Sequence, residues 1–494
     1  MSPPMNPQTA FDLLLGAPLF GAALLAFIGH SHRAAVVNIL IAALTLAGAV
    51  VLALDVLGSG PRTLYGQAFF LDSFNTFLVV LTAFVATTTA LFSRPYMAFE
   101  ARHRGLPSRR MRLYHAMVQL FIFGMLLALT TNNLGVMWVA LELATMATVL
   151  LVSLYRTPDS IEAAWKYFIL CGVGIAQALF GTVLIFFAAT QVLGHGNEAL
   201  TWTALYAHAD DLEPVVMGLA FAFLMVGYGT KVGLVPLHAW LPDAHSEGPT
   251  PVSAVLSGLL LNVALYALVR CKVLVEGATG STLPGTIMIG FGLTSFLVAA
   301  FFLHKQRDIK RMYAYSSVEH MGLMTLAFGI GTHLATVAGL LHMTVHSLVK
   351  SGIFFTVGHA AQAMGSQAMP KIRGLIRHSP GIGWGLLIGT LAIAGFPPFG
   401  LFVSELLLLT ATVQSHPWIT VPLLFGLVIA FAGLFRHLQP MVFGNPPPTA
   451  IKVKVDFTPV ILHLTLALLL GLMLPNFLSD WFETASNLLT PGGG

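Results

Sequence analysis

Lys231 and Glu142 stand where a charge is costly, which makes them the first candidates for chemistry in this chain. Lys231 follows the apolar run Val215–Thr230, and Glu142 lies inside Leu134–Leu154, otherwise apolar enough to cross a membrane. A charge at membrane depth costs several kcal/mol on roughly any scale, so such residues face a protein interior or water and mark ion or proton pathways. The lysine's surroundings read Gly227-Tyr-Gly-Thr-Lys231-Val-Gly-Leu-Val-Pro236-Leu-His238-Ala-Trp240. Glycine and proline are tolerated at that depth where a helix breaks and lines a cavity, and broken helices build ion sites in many transporters. The plainer reading is a lysine near a helix end that snorkels to the interface. If Glu142 lies against Lys231 and can change partner, the lysine can take up and release a proton as one of a coupled pair. Lys166, with Glu162 at i−4, either modulates that pair or forms an ordinary interfacial ion pair. His238, in the proline-rich turn, is a second modulating candidate.

Two further groups carry similar chemistry. His342, His346 and Lys350 recur at i, i+4 and i+8, one helical stripe rising roughly 12 Å. Histidine both donates and accepts a proton near neutrality, so the stripe fits part of a proton wire, and His320 in the preceding span would extend it. A structural, hydrogen-bonded stripe is the plainer alternative. A His-x3-His pair can also hold zinc, but no carboxylate or cysteine is placed nearby to complete a site, so no metal is expected. In Gly395-Phe-Pro-Pro398-Phe-Gly-Leu-Phe-Val-Ser-Glu405 a second Gly/Pro break precedes a charge. A proline kink with an interfacial glutamate would explain that segment equally well.

The elements that position these residues are membrane spans. Of 494 residues, 56% are hydrophobic and 9% charged, with a mean hydropathy of +0.82; soluble proteins carry roughly 25% charged residues. The expected fold is an all-α polytopic membrane protein. About fourteen spans are predicted, centred near Leu19, Leu44, Thr82, Met125, Thr145, Ala176, Leu224, Leu261, Gly292, Leu323, Leu348, Thr390, Leu424 and Ala467. No soluble domain fits between them. Cys171 and Cys271 suit neither a disulfide framework nor a cysteine metal site. Met1–Pro18 lacks a basic leader region, so no removable signal peptide is expected. Nothing supports nucleic-acid binding, and no nucleophile, metal cluster or nucleotide loop suggests a catalytic centre in this chain.

Loop charges orient the spans. The loop after the third span holds Arg94, Arg102, Arg104, Arg109, Arg110 and Arg112. Later odd loops add Arg156, then Lys305, Arg307, Lys310 and Arg311, then Lys371, Arg373 and Arg377, then Arg436, Lys452 and Lys454. The loop after the sixth span instead carries Glu198, Asp210, Asp211 and Glu213 without a cation. The odd loops are therefore expected in the cytoplasm and both termini on the outer, periplasmic side, with Arg270 and Lys272 after the eighth span as exceptions. The seventh and twelfth spans share one design, a broken helix with an ionisable residue, and lie five spans apart. That spacing suggests two inverted five-helix repeats, spans four to eight and nine to thirteen. The implied divisions are an N-terminal three-helix segment (1–111), two repeats (112–275 and 276–438), and a C-terminal helix and tail (439–494).

Met137-Trp-Val-Ala-Leu-Glu142, Leu237-His-Ala-Trp-Leu-Pro-Asp-Ala-His245, Asp308-Ile-Lys-Arg-Met-Tyr-Ala-Tyr-Ser-Ser317 and Gly395-Phe-Pro-Pro-Phe-Gly400, with Lys231, resemble the antiporter-like membrane subunits of respiratory complex I, Mrp antiporters and group 4 hydrogenases. The resemblance runs from Leu71 to Phe443. Glu162–Gly174, Tyr315–Gly322 and Pro398–Glu405 look most like the hydrogenase-4 component F type, found in group 4 nickel–iron hydrogenase and formate hydrogenlyase complexes. It implies a proton- or sodium-translocating subunit of the bacterial inner membrane without a redox cofactor of its own. Its partners would be other membrane subunits and a peripheral redox arm carrying iron–sulfur clusters and a nickel–iron or quinone site. Glu142 and Lys231 match the family's Glu–Lys pair, His320, His346 and Lys350 its central hydrophilic axis, and Glu405 its exit-side position. Asn262, in Leu260-Leu-Asn-Val-Ala, departs from the pattern, since many relatives have Lys or His there. Asparagine carries no proton, so water must bridge that point or the path is incomplete. The rivals are a non-conducting scaffold for a hydrogenase and a subunit of a redox-independent cation/proton antiporter.

Overall fold

In lipid every backbone polar group must be satisfied within its own segment, so long apolar runs become helices. The computed structural model describes residues 6–30, 33–453 and 455–490. Lys454 and the first five residues of the expected N-terminal segment lie outside the described residues. The chain opens with α1 (Pro7–Ile28) and α2 (Ala34–Ser59), then a hairpin of β1 (Arg62–Leu64) and β2 (Phe69–Leu71). α3 (Ser73–His103), α4 (Ser108–Thr130), α5 (Leu134–Val152) and α6 (Pro158–Leu193) follow. After α7 (Pro214–Val232) come the short α8 (Trp240–Glu247) and the long α9 (Thr250–Thr279), which holds a π-turn at Leu256–Leu260. Next are α10 (Leu283–Leu303), α11 (Ile309–Ile330) and α12 (His333–Met364). The last third comprises α13 (Pro380–Ile393), α14 (Gly400–Ser415), α15 (Pro417–Phe443), α16 (Thr458–Leu472) and α17 (Asn476–Leu489).

Among the described residues, eleven helices are long and apolar enough to cross a membrane, twelve if α16 and α17, bent by 79° at their junction, form one broken span. The expected count of about fourteen therefore depends on α11 and on α13 with α14. α11 carries Lys310, Arg311 and Glu319, and the other two are halves of 14 and 16 residues. Helix starts follow side-chain capping: Asp72 and Asn75 form a capping box before α3, Asn133 caps α5, and Asp308 caps α11.

The helices form two shells. α9 and α12 are completely enclosed across their most apolar windows, whereas the windows of α1, α2 and α6 are only 39% buried. The outer helices turn Phe20, Leu54, Val173 and Phe187 outward. α11 joins the inner shell, since Arg311 alone of its residues is not buried. Small residues bring α10 and α11 together at backbone distance. A Cβ on Gly292 of α10 would stand 2.6 Å from the Leu326 nitrogen, and one on Gly322 of α11 equally close to the Phe296 nitrogen.

Both broken spans take the same form. α7 ends in a left-handed Gly233 at φ 83°, and the segment after α13 turns at Gly395, φ 64°. A proline-containing stretch, with cis bonds at Val235–Pro236 and Pro397–Pro398, then leads into the next helix. One sequence expectation changes here. Arg270 and Lys272 do not form a loop; both are buried within α9, paired with Asp72 at 2.6 Å and Glu276 at 2.7 Å. Being neutralised inside the protein, they are no loop signal of orientation.

Candidate functional site

α6 sets the first cluster by holding α7 close. Gly227 of α7 packs so tightly on α6 that a Cβ there would lie 2.5 Å from Ala178. Lys231, in the last turn of α7, is fully buried, and its Nζ donates to Glu142 Oε2 of α5 at 3.1 Å and to the Thr145 hydroxyl one turn further on. The ammonium therefore does not snorkel to an interface. Trp240, the first residue of α8, closes over this turn. Its Nε1 donates to the Thr230 carbonyl at 2.9 Å, and its ring stacks on Tyr167 at 4.5 Å. Glu142 keeps 22% of its side-chain surface reachable from outside the chain.

The second cluster lies on the inner helices. Lys350 of α12 is buried and donates to the Tyr313 carbonyl of α11 at 2.9 Å, while the Tyr313 hydroxyl bonds Thr390 of α13 at 2.6 Å. One turn and two turns earlier on α12, His346 and His342 face α11. His320 Nδ1 lies 3.0 Å from His342 Nε2, and His342 Nδ1 lies 3.0 Å from the Ser404 hydroxyl of α14. His320 and His346 have ring centroids 5.5 Å apart. Three imidazoles converge, but the facing nitrogens of His320 and His342 share one proton, so those lone pairs do not aim at a common metal. The three side chains form one hydrogen-bonded line, Ser404–His342–His320.

Several expected residues fall elsewhere. Lys166 is half exposed and pairs with Glu162 at 2.6 Å and Asp243 at 3.3 Å, the interfacial alternative, and it touches neither Glu142 nor Lys231. His238 is half-buried, edge-on to Tyr315 at 5.9 Å. Glu405 is partly buried, its carboxylate against the Gly395 backbone of the second break, and forms no ion pair among the described residues. Its neighbour Ser404 is the residue that reaches the histidines. Asn262 is pinned between α9 and α12, its Nδ2 donating to the Gly258 carbonyl at 3.2 Å and the Ser347 hydroxyl at 2.8 Å.

Three buried groups were missed. Lys310 was read as a loop cation, but α11 begins at Ile309, and its ammonium is enclosed by the carbonyls of Ser246 (3.1 Å) and Gly248 (2.5 Å). The signal was Asp308, a helix cap that places the lysine in a first turn, where a cation opposes the helix dipole and needs another partner. Glu319 is buried beside His320, with Oε2 unpartnered. His245 of α8 is buried, stacked on Phe354 at 5.0 Å, and neither ring nitrogen has a partner. Phe354 is one turn beyond Lys350, so α8 reaches from the Lys231 turn to the helix of the second cluster.

The chain is similar to characterised families over most of its length. The family described as NADH:quinone oxidoreductase/Mrp antiporter, TM, matches residues 131–430. A hydrogenase-4 component F homolog from Methylacidiphilum infernorum is 48% identical over 424 residues, 86% of this chain and 89% of the relative. NADH-quinone oxidoreductase subunit N of Desulforudis audaxviator is 30% identical over 397 residues, 79% and 76% of the two chains. In fold, a chain of the archaeal membrane-bound sulfane sulfur reductase complex superimposes with a TM-score of 0.88, covering 98% of each chain at 24% identity.

Proposed function

The chain belongs to the NADH:quinone oxidoreductase/Mrp antiporter family of membrane proteins, and from that premise we propose that it translocates protons as the antiporter-like membrane subunit of a redox-driven complex. The observation that carries this reading is the fully buried Lys231 ammonium, held 3.1 Å from Glu142 at the end of a broken helix. A structural pair would need no broken helix and no continuation. Here buried polar atoms continue the line: both nitrogens of His245, Glu319 Oε2, His320 Nε2 and both nitrogens of His346 lack protein partners. Each costs about 1–3 kcal/mol if left dry, so the line is built to be hydrated. The path runs from Glu142 and Lys231 past His245 and Lys310 to Lys350, His346, His320 and His342, with Glu405 at the second break.

The complex is of the membrane-bound group 4 nickel–iron hydrogenase or formate hydrogenlyase kind, or an NADH:quinone oxidoreductase relative. Its other membrane subunits and a peripheral arm with iron–sulfur clusters and a nickel–iron or quinone site supply the driving reaction. It sits in the bacterial inner membrane with both termini outside. Segments 112–275 and 276–438 act as inverted halves, each with a broken helix turning at a left-handed glycine, between the first three helices (1–111) and the C-terminal part (439–494). One observation favours a non-conducting scaffold instead: Asn262 stands where a titratable group would help the relay.

The deciding experiment reconstitutes the whole complex in vesicles and compares proton release during turnover between wild type and Lys231→Ala at matched assembly. Loss of release with intact redox turnover supports the path. Turnover without proton or sodium movement in wild type establishes the scaffold, and ion exchange without turnover establishes a redox-independent antiporter.

A further inference from the structure

The helix ends on one face of the bundle form a cleft that the ion path does not use. It opens between α1, the first turns of α4, the end of α5 and the start of α6, and encloses about 1040 Å³. Arg109, Arg110, Arg112 and Arg156 line it, with no acidic side chain among the lining residues. None of these four arginines forms an ion pair among the described residues, whereas Arg62, Arg104, Arg270 and Arg311 all find carboxylates. Two of the four are set by the backbone beside them. Arg110 Nη1 donates to the Tyr155 carbonyl at 3.2 Å, and Arg156, the next residue, holds a left-handed φ of 56°. Four uncompensated cations at one rim repel one another, and an anion relieves that repulsion.

The cleft is also amphiphilic. Below the arginines its wall is apolar, made by Met117 of α4, Leu150 of α5 and Ile161 of α6, of which Leu150 and Ile161 are 40% and 39% exposed. The cations sit at helix ends, the depth of lipid headgroups, and the apolar wall runs inward from them. A free anion would leave that wall unused. We propose that this cleft binds an anionic phospholipid, its phosphate on the four arginines and an acyl chain along Met117, Leu150 and Ile161. Guanidinium forks match phosphate oxygens in bidentate pairs, and basic pockets between transmembrane helices suit such headgroups. The bound lipid bridges α1 to α4, α5 and α6, and α5 carries Glu142.

The test uses the intact complex, delipidated in neutral detergent and exposed to phosphatidylglycerol, phosphatidylcholine or inorganic phosphate. Bound lipid is read by native mass spectrometry of this subunit and stability by its thermal midpoint. Wild type retains phosphatidylglycerol over phosphatidylcholine and melts higher with it. The Arg109→Gln/Arg112→Gln/Arg156→Gln variant loses that preference by about 10- to 100-fold, the weight of three cations beside an anionic headgroup. The matching Arg→Lys variant keeps most of it, which excludes misfolding as the cause. Leu150→Trp, which fills the apolar wall and spares the arginines, also lowers retention. Equal retention by the glutamine variant overturns the proposal. So does equal protection by inorganic phosphate, which would mark a soluble-anion site. A lipid-free wild type whose glutamine variant fails to assemble would mark a protein contact instead, and equally overturns it.

Discussion

Removing either member of the Glu142–Lys231 pair should destabilise the protein, but not equally. Lys231 is 0% exposed and Glu142 22%. Glu142→Gln leaves an ammonium fully enclosed with only neutral acceptors, the new amide oxygen and the Thr145 hydroxyl, and stranding a buried charge in this way costs about 3–5 kcal/mol. Lys231→Met leaves a carboxylate that still has an exposed face, and a partly satisfied acceptor costs on the order of 1–3 kcal/mol. The double variant removes both charges and should recover most of the Glu142→Gln loss, because replacing a buried pair by neutral groups is often close to neutral. The cysteines provide the assay: Cys171 in α6 and Cys271 in α9 are both free and buried, so labelling by a thiol-reactive dye during heating reports opening of the bundle. The expected order of melting is wild type, double variant and Lys231→Met, with Glu142→Gln lowest. All three variants should lose proton release. If Lys231→Met melts below Glu142→Gln, or the double variant shows the sum of the two losses, the pair is not energetically coupled in the way the burial requires.

Two further perturbations separate structure from conduction. Arg270→Ala strands Asp72, both at most 3% exposed, so stability should fall by about 3–5 kcal/mol. The fraction that still assembles should move protons at the wild-type ratio, measured as protons per electron in vesicles. His342→Leu stays close to histidine in volume but removes both 3.0 Å contacts of the His320–His342–Ser404 line. It should abolish proton release with little change in melting, while Ser404→Ala, which leaves the two histidines joined, should only slow it.

The parts of this architecture legible in the sequence are those the bilayer enforces locally. An uninterrupted apolar run, a lysine that ends one, and a glycine–proline break each announce themselves without knowledge of neighbours. What stayed hidden depends on helix ends and on tertiary enclosure. Lys310 stands in a run of cations with Lys305, Arg307 and Arg311, and loop charge counting treats all four alike. Only the start of α11 at Ile309 and the carbonyls of Ser246 and Gly248, more than sixty residues away, distinguish it. Arg270 and Lys272 stood as exceptions to the count for a similar reason: the Asp72 partner of Arg270 and the full length of α9 are not visible in the local pattern, although Glu276, which pairs with Lys272, is only four residues away. Glu319 was overlooked beside His320 because adjacent helical residues point about 100° apart, and only a helix buried on all sides turns both inward.

The same enclosure recasts Asn262. A relay of side chains touching end to end would need a titratable group at that point, yet the described hydrogen bonds already fall into three groups. Lys231, Glu142 and Thr145 form one, Lys350, Tyr313 and Thr390 a second, and His320, His342 and Ser404 a third. Between the first and the second stand His245 and Lys310, carried by α8 and the start of α11. α8 is tied to the turn before Lys231 through Trp240 and stacks His245 on Phe354 of the Lys350 helix. Charges held in a low-dielectric interior act on one another through space, so these groups need no hydrogen bond between them to interact. On the proposed path, charge would advance by steps between these side chains and water. Asn262 is not among those steps. Its amide donates to Gly258 and Ser347, beside His346 on the facing helix, so it holds α9 against α12 and keeps the histidine stripe facing α11. A lysine there would lose those bonds, so on the proposed path the asparagine serves as a wall and not as a gap.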